Sequence, residues 1–321
     1  MKNSKLISIL LVLFVGVSIF GFSVNSVEAN GHDFKEATDK TVDFGYVQWP
    51  GVTVKTHVAK KIAEYMGYDA EMTSGSQAIV FKGMDSGDLD VFLGNWMPTM
   101  KIHFDKYEEK GSIRNVRVNL WDVVYKTAVP EYVWDAGVKS FDDLHKHADK
   151  FDKTIYGIEP GNEGNIIIKD AIENNTYNLQ DFNLKASSTA GMLSAVKRSI
   201  QKEEWIAFNG WKPHYMNTIW DLKYLKDPQG IWGSGERVLT VVRTGYQDEN
   251  PNFHHFLEQF KVTAPLQNKW INEYQNKGKD PEVVAEEWIA NNLDVVNQWV
   301  YGCRTVDGEM ARKAIKKKVN Q

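Results

Sequence analysis

The chain has 321 residues, 42% of them apolar and 25% charged, with a formal net charge of −4. That length supports one large domain or two lobes of ordinary size, and the mild acidity argues against the basic stripe of a nucleic-acid binder. With Cys303 as the single cysteine, an internal disulfide is excluded.

Lys2 and Lys5 precede an apolar run over residues 6–22, and Val27-Glu28-Ala29 supplies the residues a signal peptidase reads. The run falls short of the ~20 residues that span a bilayer comfortably. A signal peptide over residues 1–29, cleaved after Ala29, is therefore expected in place of a retained anchor, and no cysteine near its end offers a lipid anchor. Losing two lysines and one glutamate with it takes the net charge from −4 to −5. Residues 30–40 are polar and read as a disordered leader to the mature protein, which is expected in the periplasm.

Residues 41–47 read as a strand, ended by Pro50-Gly51, after which Val54, Val58, Ile62 and Tyr65 recur at helical spacing until Gly67. Trp49 falls in the turn between them. A helix is predicted over 77–84 and a short strand over 89–93 that runs into Gly94-Asn95-Trp96. A strand within 118–130 carries Tyr125 and ends in Ala-Val-Pro. Ser140, with Asp143 three residues later, marks a helix start. The strand 154–158 feeds a Pro-Gly-Asn turn containing Asn162, a helix follows over 166–174, and another is predicted over 192–201. Residues 205–208 form a strand leading to Trp211, and from Phe253 onward the pattern is helical, amphipathic over 253–260 and 283–299. Alternating strands and helices without a long linker imply α/β architecture, with candidate ligand residues gathered at strand ends.

Trp49, Trp96, Tyr125 and Trp211 each sit in a short motif able to present a ring. Aromatic rings have a negative face, so several around one space attract a cation that cannot hydrogen-bond, such as trimethylammonium. No nucleophile elbow, His-Glu-x-x-His helix or glycine-rich phosphate loop is present. Asp85, Asp88 and Asp90 lack the spacing of a calcium loop. No catalytic residue, metal site or cofactor is expected. A secreted lyase or hydrolase acting on a quaternary amine, and a ligand-presenting sensor module, stand as alternatives to a binding protein.

Four segments together resemble the choline- and glycine-betaine-binding proteins of bacterial ABC importers, nearest to the choline-binding branch. They are Leu-Asp-Val-Phe-Leu-Gly-Asn-Trp-Met-Pro-Thr-Met (89–100), Ala-Val-Pro-Glu-Tyr-Val-Trp-Asp-Ala-Gly (128–137), Tyr-Gly-Ile-Glu-Pro-Gly-Asn-Glu-Gly-Asn (156–165) and Gly-Trp-Lys-Pro-His-Tyr-Met-Asn (210–217). They lie in the family's order over nearly all of the mature chain. The resemblance implies a two-lobed type II periplasmic binding fold, with lobe I over 41–128 plus 245–321 and lobe II over 129–244. It implies an aromatic cage of Trp49, Trp96, Tyr125 and Trp211, with Tyr125 near the hinge and Asn162 contacting the ligand. It further implies a monomer that hands a small quaternary ammonium ligand to an ABC permease in the inner membrane.

One departure bears on the ligand. The choline-binding branch carries an aspartate two residues after the first cage tryptophan, where this chain has Gly51. Without that carboxylate, Gly51, Val52 and Thr53 are expected to offer backbone N–H groups at a helix start, which suits a ligand carboxylate. His214 is a further candidate for the polar end. The overall resemblance favours choline and the local chemistry favours glycine betaine.

Overall fold

The computed structural model describes residues 36–321. The expected signal peptide and residues 30–35 of the expected leader lie outside the described residues. From Ala37 onward the leader is not loose: Ala37 is buried, and the Thr38 N–H donates to the Glu249 carbonyl at 2.9 Å. That contact ties the start of the described chain to its C-terminal third.

Two five-stranded mixed sheets share one plan. The first has the order β2-β1-β3-β10-β4, from β1 (Thr41–Tyr46), β2 (Asp69–Ser74), β3 (Val91–Met97), β4 (Ile113–Leu120) and β10 (Arg237–Arg243). The second has the order β7-β6-β8-β5-β9, from β5 (Val124–Pro130), β6 (Thr154–Tyr156), β7 (Asn183–Lys185), β8 (Ala207–Lys212) and β9 (Leu222–Tyr224). In each sheet four strands share one direction, and the fifth, β10 or β5, enters antiparallel between two of them. Two lobes in an α/β arrangement are what the sequence implied.

Sheet membership does not follow the expected division at 128/129 and 244/245. All of β5 belongs to the second sheet and all of β10 to the first, so the chain crosses between β4 and β5 and returns between β9 and β10. Strand pairing decides membership, and the partners of β5 and β10 lie far away in sequence, so they leave no local mark there.

The helices that reach the site are α1 (Pro50–Tyr65), α2 (Gln77–Ser86), α3 (Lys101–Glu109), α4 (Glu163–Glu173) and α5 (Ala264–Ile271). Pro50 opens α1 at a position that needs no N–H, and Val54, Val58 and Ile62 are fully buried at four-residue spacing. Gly87 ends α2 with φ 86°, a left-handed conformation that glycine adopts without a side-chain clash. The expected helix over 283–299 is two, Pro281–Asn291 and Leu293–Trp299, broken at Asn292 (φ −138°, ψ 41°).

Strand β3 is buried along its whole length, as a central strand covered on both faces should be. Its outer face packs with α1 and the C-terminal helices through Val91, Leu93, Phe253, Phe256, Trp270 and Trp299. A second core runs from Phe92 and Trp96 on this strand through Tyr125 into the second sheet at Phe208 and Trp211. The cleft between the lobes is thus lined by a continuous apolar core.

Candidate functional site

One cavity takes its walls from both lobes. Trp49, Val52, Trp96 and Met100 line it from the first lobe, and Tyr125, Ile158, Asn162 and Trp211 from the second. Trp49 is the N-cap of α1, three residues beyond β1, and Trp96 is the penultimate residue of β3. Tyr125 is the second residue of β5 and pairs directly with Trp211 across the β5–β8 ladder. Neighbouring strands bring such pairs within reach, and the two rings meet edge to face with centroids 6.0 Å apart. Trp96 approaches Tyr125 at 6.3 Å and 70°. A fifth ring, Trp232, buttresses Tyr125 at 5.2 Å from outside the cavity lining. All four expected cage residues are between 7% and 9% exposed, so a cation among them would be largely stripped of water.

The polar wall is formed by the start of α1. The N–H groups in the first turn of a helix have no intrahelical acceptor. Here the N-cap is an indole, which has no acceptor to offer, and no side chain caps the turn. Gly51 and Val52 both line the cavity at this uncapped end, and the Trp49 indole N–H is buried without a partner.

Asn162 lines the cavity, but most of its amide is committed elsewhere. It caps α4 by accepting from the Gly164 N–H at 2.9 Å, and the same oxygen accepts from the Tyr125 hydroxyl at 2.7 Å. Its Nδ2 donates to Gln77 Oε1 at 2.7 Å, across the cleft from α2. Gln77 in turn donates to Glu163, and His103 on α3 contacts the other oxygen of that carboxylate. Glu163 is completely buried and also lines the cavity. Its hydrogen bond to His103 raises the imidazole pKa above the usual histidine value. Burial drives the Tyr125 hydroxyl far above its ordinary pKa, so that group stays a donor.

His214 does not line the cavity. Its ring packs against Trp211 at 4.7 Å and Tyr215 at 4.5 Å, and its Nδ1 accepts from the Met216 N–H at 3.2 Å. Burial pushes its pKa down to about 3, so it stays neutral and supplies no charge to the site. His214 was a candidate for the polar end; the turn after β8 places its ring behind Trp211 instead.

Sequence reasoning passed over Gln267, Thr99, Met100 and Glu163, which also line the cavity. Thr99 and Met100 fall inside the Trp96 motif and Glu163 follows Asn162, so adjacency could have found them. Gln267 lies more than fifty residues from any other lining residue, on a helix whose pattern reads as ordinary packing. Among the described residues, no helix is long and apolar enough to cross a membrane.

The family described as the substrate binding domain of ABC-type glycine betaine transport systems matches residues 40–291. The structure is similar to an ABC-transporter choline-binding protein solved in complex with choline, with 36% identity and a TM-score of 0.85, over 87% of this chain and 98% of that one. It is similar to the closed, glycine-betaine-bound form of a lactococcal binding protein, with 31% identity and a TM-score of 0.75, over 82% of this chain and all of that one. In sequence, 158 residues are 38% identical to the glycine betaine/carnitine transport binding protein GbuC of Listeria monocytogenes, spanning 49% of this chain and about half (52%) of that protein. All three are binding proteins of transport systems. With most of its length matched and both lobes reproduced, this chain belongs to the family of substrate-binding domains of ABC-type glycine betaine transport systems.

Proposed function

We propose that this protein captures a quaternary ammonium compound, glycine betaine or choline, in a cage of Trp49, Trp96, Tyr125 and Trp211. The observation that carries the reading is the convergence of four nearly buried rings from both lobes on one cavity. A desolvated cation–π contact contributes on the order of 2 kcal/mol, and micromolar affinity needs about 8. Four rings with a few hydrogen bonds reach that range. The uncapped start of α1, with Gly51 and Val52, receives the ligand's polar arm, and Asn162, whose Nδ2 has one hydrogen not used by Gln77, contacts the same ligand. His214 supports Trp211 and does not touch ligand.

In this reading the protein has no catalytic activity. The buried Cys303 thiol is pushed up to about 12, which leaves no thiolate for attack near neutral pH. A monomer working outside the cytoplasmic membrane, released there by signal-peptide cleavage without a lipid anchor, would close on ligand and dock to an ABC permease in the inner membrane, for osmoprotection or nutrient supply. Lobe I then comprises β1–β4 with β10 and the C-terminal helices, and lobe II the span from β5 to β9.

Calorimetric titration with glycine betaine, choline and carnitine tests the proposal. Saturable binding of at least one, with the ligand recovered unchanged, is expected. Binding of none, or turnover of any, would refute it.

A further inference from the structure

We infer that Gln267 reads the polar arm of the ligand, and that its amide admits both a carboxylate and a hydroxyl. The inference rests on the quaternary ammonium reading and assigns the other end of that ligand. Gln267 projects from α5, in the C-terminal helical region, and is 2% exposed. It lines the cavity beside Gly51 and Val52, and its Oε1 is buried without a hydrogen-bond partner. A buried amide oxygen is costly to leave without a partner, so an occupant able to pair with it is favoured.

Its position explains why glycine stands at 51. A Cβ built on Gly51 would lie 2.3 Å from Gln267 Nε2 and 2.9 Å from its Cδ. Gly51 is helical with no positive φ, so the backbone imposes no demand for glycine there. The demand comes from space: any side chain at 51 displaces the Gln267 amide. The site therefore holds either a side chain on α1 or the Gln267 amide on α5, and this chain has the amide.

The two solutions differ in chemistry. A carboxylate on α1 can only accept hydrogen bonds when ionised; it suits a hydroxyl and repels a ligand carboxylate. A glutamine amide carries an acceptor and two donor hydrogens, and rotation by a half-turn exchanges them. Donating Nε2, it joins the first-turn N–H groups of α1 around a carboxylate; presenting Oε1, it accepts from a hydroxyl. Discrimination is then weak by construction, because neither arm leaves a buried charge opposed.

The test compares wild type, Gln267→Met and Gln267→Glu by calorimetry with three probes: glycine betaine, choline and tetramethylammonium, which has no polar arm. Methionine keeps the apolar volume and removes the amide. The expected result is that Gln267→Met weakens betaine and choline at least fivefold and tetramethylammonium less than twofold. Gln267→Glu should weaken betaine at least thirtyfold while choline stays within threefold of wild type or binds more tightly. Equal losses for all three probes in Gln267→Met would make Gln267 a packing residue and overturn the inference. So would a betaine-to-choline ratio unmoved in Gln267→Glu. If wild type binds none of the three probes, the cage reading itself falls. Wild-type binding with unmoved ratios removes only the role of Gln267.

Discussion

Replacing Trp96 by leucine separates a ring that attracts charge from one that only fills space. Trp96 is 7% exposed, meets Tyr125 at 6.3 Å and sits one residue from the end of β3. Burial to that degree puts a cation–π contact at the desolvated end of its range, about 2 kcal/mol, or close to thirtyfold in affinity. Truncation to alanine would confound this with a cavity penalty of about 3–5 kcal/mol, which is why leucine is the informative choice. The assay is competition calorimetry with choline and its uncharged isostere 3,3-dimethylbutan-1-ol, which replaces the ammonium nitrogen by carbon. Wild type should prefer choline strongly. In Trp96→Leu the preference should shrink by roughly ten- to thirtyfold, with the isostere's own affinity changed only a few-fold. Equal losses for both ligands would mean that Trp96 contributes shape alone, and the electrostatic account of the cage would be wrong.

Three further outcomes are expected. Gly51→Asp should displace the Gln267 amide and raise choline affinity relative to betaine at least tenfold; an unchanged ratio by calorimetry would place the polar end elsewhere. Gln77→Ala removes the partner that bridges Asn162 and Glu163 across the cleft and leaves a fully buried carboxylate short of a donor. Hydrogen bonds to charged groups contribute about 1.5–3 kcal/mol, so affinity should fall at least tenfold, mainly through faster dissociation in stopped-flow fluorescence. Affinity should also depend on pH through His103, whose pKa the cleft-spanning contact with Glu163 raises against the opposing charge of Lys106. A raised pKa means the closed form binds the proton more tightly, so this contribution is complete below the ordinary histidine value of about 6.5 and is lost as pH rises through the raised one. His103→Asn should flatten the profile above the ordinary histidine value; an identical slope in both proteins would remove His103 from the closing contacts.

Much of the site was legible because its rings lie where the chain is punctuated. Trp49 precedes Pro50-Gly51, Trp96 precedes Pro98, and Trp211 precedes Pro213, so glycine and proline mark the turns in which a strand end can expose a ring. The helix starts at Pro50 and Ser140 were visible for the same local reason, and the capping box at Ser140 and Asp143 is present. What stayed hidden depends on partners far away in sequence. Strand β10 inserts between β3 and β4, more than 100 residues upstream, and so its sheet was not visible from the sequence around it. Gln267 looked like one more polar residue on a helix that buries Trp270 and Ile271. Its significance exists only beside Gly51, and the two are joined by packing alone. Asn162 was expected to contact ligand from a turn, and its bond to Gln77 arises only where the two lobes meet.

The way the chain passes between sheets also governs the order in which the protein can be built. The second sheet is drawn from an unbroken stretch, β5 to β9, and is complete once Tyr224 has been made. The first sheet is not: β4 has only β10 beside it, and the outer face of β3 waits for Phe253, Trp270 and Trp299. Loops of that length close slowly, because their entropy is lost before any contact rewards it. A nascent chain halted at residue 235 therefore holds a second lobe with every strand in place and a first lobe whose β4 has no neighbour and whose β3 is uncovered.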